Sequence, residues 1–426
     1  MQSRGSVVVV GGGPAGLIAA EVVASGGRKV TLVEHMPSVG RKLLLAGRGG
    51  LNITHSEPLD DLVGRYGSVD GHGSVDGHGA IVQRRLADAI ARFTPSDLRT
   101  WSASLGQPTF VGSSGRVFPE AFRATPLLRA WLARLDSLGV ELRVRHRWLG
   151  WETSLGRADP TRVLVRGPTG AVEVLAAPAV VLALGGASWP RVGSDGEWAS
   201  VLRDAGVNVT TLAAANCGYR VDWSPTWSER FAGVPLKNVS GTVAGHTARG
   251  EAMITAAGIE GGLIYALGAA IRDELGRTGE CYVVIDLHPD LEPSDVVSRL
   301  ATRRPKDSLS NWLRRSLGLA PVAIGLLREV MATHLPKDAQ GVAALVKALP
   351  IRLIGPMPIE RAISTAGGIT FGELDDSFML RSLPGVFVAG EMLDWDAPTG
   401  GYLLQASFST GVAAARGALA WLDGQR

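Results

Sequence analysis

The sequence predicts a doubly wound α/β fold whose parallel sheet is interrupted by a small β-barrel-like piece and a helical piece. Three observations carry this expectation. Apolar, largely β-branched strand signals at Val7–Val10, Val180–Leu184 and Val386–Val388 each run into glycine, after residues 10, 184 and 389. Unbroken apolar runs of this length suit strands covered on both faces. Between the second and third, residues from about 193 to 290 read as short strands with glycine turns, and Asp295 to about Val346 reads as helical. The expected boundaries are 1–192 and 351–426 for the two parts of the doubly wound domain, 193–291 for the β-barrel-like insertion and 292–350 for the helical one.

In chain order, Val7–Val10 leads into Gly11-Gly12-Gly13-Pro14-Ala15-Gly16. Gly11 permits a tight turn, Gly13 lets the backbone approach a pyrophosphate, and Gly16 lets the next helix pack closely on the strand. That helix, Leu17 to Ala24, aims a positive end and free N–H groups at an anion. A second strand, Val30–Val33, ends in Glu34, 18 positions after Gly16, where a carboxylate accepts the ribose hydroxyls of an adenosine. Residues 41–55 form a second glycine-rich loop, and residues 67–79 repeat a hexapeptide holding Asp70, His72, Asp76 and His78. A solvated loop made by local duplication is the expectation there, with no metal site, because glycine-rich chain holds no ligand geometry.

Leu127 to Leu138 has apolar residues at helical spacing with arginines opposite, a surface helix. Strand signals follow at Glu141–Arg147, Arg162–Val165 and Val172–Leu175, with a turn at Pro168-Thr169-Gly170. Within the helical stretch, Leu313, Leu317, Leu326, Leu327 and Val330 are the expected buried positions. The chain closes with Thr399-Gly400-Gly401-Tyr402 and a small-residue helix from Ser407 to Trp421.

Composition excludes several classes. The 426 residues, 46% apolar, suffice for two or three globular domains. Cys217 and Cys281 are the only cysteines, which excludes a disulfide framework, a thiolate zinc site and a redox dithiol. The formal charge of +3 is not by itself a nucleic-acid signature. The longest apolar stretch, Val174 to Ala187, holds two glycines and a proline and is too short to span a bilayer. The first apolar run is no secretory signal, so the cytoplasm is the default location and no membrane partner is expected.

Three strand–glycine junctions suit a long ligand better than a mononucleotide, because ligands of such sheets sit beyond the carboxyl ends of the strands. FAD is the candidate, with an FAD-binding Rossmann-like domain as its holder. Gly390-Glu391 and Gly400-Gly401-Tyr402 would serve the ribityl chain, pyrophosphate and pyrimidine end. A helix beginning near Gln405 would aim its positive end at the flavin C2 carbonyl. Tight turns between packed elements are the alternative reading. No second G-x-G-x-x-G follows a convincing strand, so no dedicated NAD(P)H domain is expected; NADH or NADPH visits the flavin transiently, or another donor reduces it.

Taken together, G-G-G-P-A-G, the second loop, F-V-G-S-S-G-R-V-F-P, L-A-L-G-G-A-S-W-P, S-T-A-G-G-I and the run from Gly385 to Gly411 cover most of the chain. This pattern resembles the BaiN/YhiN-like bacterial flavoproteins. The resemblance implies an NAD(P)H-linked, FAD-dependent oxidoreductase that reduces an activated carbon–carbon double bond of a small unsaturated substrate. Members are associated with steroid-type enones and with uracil in ribosomal RNA. The FAD contacts it implies are Gly11, Gly13, Pro14, Ala15, Gly16, Glu34, Arg41, Lys42, Gly185, Gly390, Glu391, Gly401 and Tyr402. Arg48, Gly49 and Asn52 would face the isoalloxazine. Two departures mark a divergent subgroup. Gly50-Leu51-Asn52 stands where much of the family has Arg-Cys-Asn, and Ala256 and Glu260 replace a histidine and a serine.

The catalytic acid is not fixed: Tyr402, His55, Glu260 and Arg116 are polar residues near motif loops, and a Tyr or His within reach would supply a proton. Reduction of a uracil in ribosomal RNA remains open, with Arg303-Arg304-Pro305-Lys306 and Arg314-Arg315 as its only basic clusters. So does a flavin-binding sensor without turnover. The oligomeric state is not legible.

Overall fold

The computed structural model describes residues 5–67, 78–154, 157–304, 306–331 and 334–425. Most of the tandem hexapeptide lies outside the described residues. The chain divides into two compact units, one of residues 1–213 with 364–426, the other of residues 214–363.

The first unit is built on β1 (Ser6–Val10) and β2 (Lys29–Glu34), joined by α1 (Pro14–Ser25). A five-stranded parallel sheet runs in the order Val386–Val388, Ala179–Leu182, β1, β2, Glu141–Val144. Val8 lies opposite Val180 on one side and Thr31 on the other. Val7 to Val10 are all buried, as their β-branched run requires. After β1 the chain turns through Gly11 at φ +105, where a Cβ would lie 2.2 Å from the Ala183 carbonyl oxygen.

Other elements depart from the expected spans. The signal at Glu141–Arg147 splits, because Arg145 takes a left-handed turn at φ 60. Glu141–Val144 stays in the parallel sheet, while Arg147–Ser154 starts a three-stranded antiparallel sheet with Arg157–Arg166 and Val172–Ala176. Helices His78–Arg92 and Pro95–Ser104 gave no sequence reading; the second opens with a capping box between Thr94 and Asp97. The C-terminal helix, Tyr402–Gly424, begins five residues before Ser407, immediately after left-handed Gly401. Tyr-Leu-Leu-Gln-Ala contains no breaker. The surface helix is Ala124–Ser137, with Leu127, Leu128, Trp131 and Leu135 buried.

The second unit carries a seven-stranded antiparallel sheet, ordered Leu349–Leu353, Cys281–Asp286, Pro235–Val243, His246–Thr255, Gly258–Glu260, Tyr219–Arg220, Gly355–Pro356. The stretch read as short strands also holds helices, at Trp198–Asp204 in the first unit and at Pro225–Phe231, Gly262–Ala266 and Gly268–Thr278 in the second. Helices Pro293–Leu300, Leu309–Leu317, Pro321–Met331 and Ala339–Lys347 fill the stretch read as helical. There Leu313, Leu317, Leu326 and Leu327 are buried and Val330 is half-buried. Leu349–Leu353 pairs with Cys281–Asp286 across those helices. The pieces expected as separate β and helical insertions therefore share one sheet and one core. Residues 193–213 sit in the first unit rather than with the β piece.

Candidate functional site

A cleft of about 470 Å³ opens in the first unit, at the carboxyl ends of β1, β2 and the strands Ala179–Leu182 and Val386–Val388. Ten expected residues line it: Gly11, Gly13, Pro14, Ala15, Glu34, Arg41, Lys42, Gly185, Gly390 and Glu391. Six do not. Gly16 packs beneath, where a Cβ would meet the Gly11 carbonyl oxygen at 1.9 Å. Gly49, Asn52, Gly401 and Tyr402 stand outside the lining. Arg48 closes the short turn Gly47–Gly49, its side chain outside the described residues.

Sequence order explains the floor. Gly13 caps α1 at φ −83, and the space where its Cβ would sit is empty to 4 Å. Pro14 starts the helix without losing a needed donor, so the α1 amides face the cleft as an anion site. At the end of β2, Glu34 accepts from Gly12 N at 2.8 Å and from Met36 N at 2.7 Å. Its oxygens keep lone pairs for a ligand, since a carboxylate offers about four acceptor sites.

Glu391 lines the cleft and is also tied to its neighbours. It holds Lys42 Nζ at 2.9 and 2.7 Å and accepts from Thr365 N at 3.0 Å and Gly186 N at 3.3 Å. Lys42 also donates to Ser188 Oγ at 2.7 Å. Four hydrogen bonds from three donors make the Glu391 carboxylate a brace, tying α2 (Arg41–Ala46) to the loop at 186–188 and to Thr365.

Residues without a sequence motif complete the cleft. Arg147 donates to Asp195 at 3.0 Å and Glu197 at 2.7 Å, and His35 Nδ1 lies 3.3 Å from Glu34. Asp195 and Glu197 flank Gly196 shortly after the second junction, the signal that would have found them; Arg147 comes from a strand with none. Arg41 Nε, Ser194 Oγ and Trp148 Nε1 also belong to cleft-lining residues and are buried without a partner. Orphan donors, an open cradle at Gly13 and a free-edged carboxylate at Glu34 fit an anionic, hydroxyl-bearing dinucleotide such as FAD.

The catalytic candidates fall in two places. Tyr402 stacks on His55 with centroids 5.4 Å apart, and its carbonyl accepts from the Tyr66 hydroxyl at 2.9 Å. Burial, then the neighbouring Glu57 carboxylate, push the Tyr402 phenol well above its usual range. Burial opposes ionisation of Glu57, but hydrogen bonds from Arg65 and Tyr402 outweigh it and hold the carboxyl low. His55 Nε2 lies 2.9 Å from the Ser114 carbonyl, and Arg116 is its cross-strand partner. Asn52 Oδ1, three residues earlier, is buried without a partner. Glu260 belongs to the second unit, half-buried opposite Met253. Nearby, burial and then Glu260 push Tyr265 up to about 12. No cluster that could hold a metal ion occurs among the described residues, and none of their helices is long and apolar enough to cross a membrane.

Comparison with known proteins gives the relationship. The chain is 24% identical to the 3-dehydro-bile acid delta(4,6)-reductase of Clostridium scindens, over 96% of this chain and 98% of that one. It is 25% identical to the ribosomal RNA dihydrouridine synthase of Escherichia coli, over 98% of both. The 3-ketosteroid delta1-dehydrogenase of Sterolibacterium denitrificans shares the fold, with a TM-score of 0.55 and 14% identity over 98% of this chain and 100% of that one. The family described as the HI0933-like protein Rossmann domain matches residues 5–417, and the chain belongs to that family.

Proposed function

We propose that this protein is an FAD-dependent oxidoreductase that reduces a carbon–carbon double bond activated by a conjugated carbonyl. The observation that carries the reading is the cleft, where the α1 amides, the Gly13 cradle, Glu34 and the orphaned Arg41 Nε converge. Both relatives support it, since a delta(4,6)-reductase and a dihydrouridine synthase are each named for saturating a double bond. FAD, when bound, supplies the hydride chemistry that no side chain of this protein can perform. Glu34 would hold the adenosine ribose, the α1 N-terminus the pyrophosphate, and Arg41 a further oxygen. Lys42, fixed by Glu391 and Ser188, keeps a cation at the cleft wall.

Saturating a conjugated double bond also consumes a proton. A phenol carries its proton at neutral pH, and Tyr402, stacked on His55 at the start of the C-terminal helix, is the residue to which we assign the general acid. NADH or NADPH would act as an external donor.

Purified protein should show flavin absorbance and release FAD on heating. Anaerobic NADH or NADPH should bleach it, and an enone or a uridine-containing RNA should restore the colour. Colourless protein that releases no flavin overturns the reading. Yellow protein that neither nicotinamide bleaches and no acceptor reoxidises would be a sensor instead.

A further inference from the structure

Three phenylalanines of the first unit gather at its surface and take no part in its core. Phe110 and Phe122 are 41% and 44% exposed, Phe118 is half-buried, and none joins the unit's hydrophobic cluster. Their rings are neighbours, with centroids 5.0 Å apart for Phe118 and Phe122, 5.7 Å for Phe110 and Phe118, and 6.4 Å for Phe110 and Phe122. Grouped apolar side chains left in water mark a binding face more often than scattered ones do. The backbone adds a second sign. Phe122 sits at φ 57, a strained conformation for a bulky residue, and such strain collects at ligand sites. A Cβ on Gly50, at φ +111, would meet the Phe122 ring at 2.5 Å. Glycine there lets the second glycine-rich loop come up against the ring, and Leu51 N donates to the Phe122 carbonyl at 3.3 Å.

Strand register puts these rings on one face with the acid assigned above. An antiparallel sheet of three strands runs Thr54–His55, Arg116–Pro119, Thr109–Val111. Phe110 lies opposite Phe118, and His55 opposite Arg116; directly opposed residues share a face. Arg116 and Phe118 alternate on one strand, so they too point to the same side. That face therefore runs from His55, stacked on Tyr402, past exposed Arg116 to the phenylalanines. Two elements tie it to the cleft. α2 lines the cleft with Arg41 and Lys42 and leads, after about 9 Å of helix, into Gly47–Gly49 and Gly50. The C-terminal helix starts at Tyr402 and lines the cleft with Ser407, about 7.5 Å further along its axis.

We propose that Phe110, Phe118 and Phe122 form the platform on which the substrate's conjugated ring lies, its carbonyl turned to Arg116 and Tyr402. These rings then select flat cyclic substrates over open-chain ones, because a planar π-system gains from offset stacking beyond the area it covers. The substrate role rests on the oxidoreductase reading and on Tyr402 as its acid. Binding to the platform does not, and it is read without turnover, with flavin content read separately.

The test uses the full-length protein and coumarin, a flat bicycle whose lactone carbonyl is conjugated to a carbon–carbon double bond. Equilibrium dialysis compares it with the open-chain enone 3-penten-2-one. The double variant Phe110→Leu, Phe122→Leu keeps apolar bulk and removes the flat faces; Phe110→Tyr, Phe122→Tyr keeps them. Tyr282→Leu is the control, removing an exposed ring of the second unit. Wild type should hold coumarin saturably and far better than the open-chain enone. The leucine pair should weaken coumarin retention about tenfold and leave the open-chain enone unaffected, whereas the tyrosine pair and the control should stay within about twofold of wild type. Flavin content and the thermal transition should match across all four proteins. In the reduced, flavin-loaded protein, coumarin should restore the colour, and the leucine pair should need about tenfold more of it. No retention by wild type, equal retention by the leucine pair, or equal loss in the tyrosine pair or the control each overturns the proposal. So does coumarin that is held yet never reoxidises the flavin. A wild-type dimer that the leucine pair dissociates, with coumarin retention unchanged, overturns it as well and gives the face to a second copy. Colourless protein that still holds coumarin on these rings would sink the oxidoreductase reading and leave the binding face standing.

Discussion

Two glycines three positions apart separate ligand binding from folding at the residue scale. Gly13 has an extended backbone and empty space where a Cβ would go, whereas a Cβ on Gly16 would meet the Gly11 carbonyl oxygen at 1.9 Å. Gly13→Ala should therefore leave the melting temperature of the flavin-free protein unchanged and lower FAD occupancy, because the new methyl projects into the cleft. Gly16→Ala should destabilise the fold by about 1–3 kcal/mol, as overpacking does, whether or not flavin is present. Glu34→Ala leaves Gly12 N and Met36 N without their acceptor. It also removes the proposed acceptor of the ribose hydroxyls, and because charge-assisted bonds are worth about 1.5–3 kcal/mol, FAD retention should fall about 10–100-fold in equilibrium dialysis. The sequence exposed these residues because each is demanded by local geometry: a turn, a close approach, a strand-end carboxylate. It did not show the bracing of Glu391, whose partners Lys42, Gly186 and Thr365 are remote in the chain, and it missed Arg147 and Asp195, whose pairing exists only in three dimensions.

Elements were legible where one periodicity ran uninterrupted. β1 and β2 needed only their valine-rich runs. The signal at 141–147 concealed a break, because Arg145 adopts a left-handed conformation that no glycine announces. The C-terminal helix owes its place to small residues: a Cβ on Gly411 would lie 2.5 Å from the Ala15 carbonyl oxygen and from Ile18 Cγ2. Gly411→Ala should wedge this helix away from α1 at a cost of about 1–3 kcal/mol. The melting temperature should then drop by about 5 °C, given roughly 2–4 °C per kcal/mol in domains of this size. A second element carries a pH dependence. Burial, then Glu274, push the Cys281 thiol up to about 11 from its ordinary 9.0. The unfolded chain ionises first, so the stability contributed by the neutral thiol is complete below pH 9 and declines up to about pH 11. Cys281→Ala should flatten the fall in urea midpoint between pH 9 and 11; an unchanged slope would place that fall on other groups.

At the scale of the whole molecule, the class of fold was readable because three widely separated strand–glycine junctions can meet only in one parallel sheet. What the sequence concealed was that the middle of the chain is one body. Strand and helix periodicities alternate there, and only the pairing of Leu349–Leu353 with Cys281–Asp286 joins them. The cores record this division: one large cluster comes from residues 7–209 and 369–422, the other from 214–362. All the cleft-lining residues belong to the first unit. Replacing residues 214–363 with a flexible glycine–serine linker should therefore leave a protein that still binds FAD, since no cleft residue is removed. Residues 214–363 expressed alone, 150 in number, are large enough for a single hydrophobic core to sustain folding and should melt cooperatively. Loss of flavin from the deletion protein despite a sharp thermal transition would show that the cleft depends on the second unit. A non-cooperative melt of the isolated segment would show that its core forms only on the frame of the first.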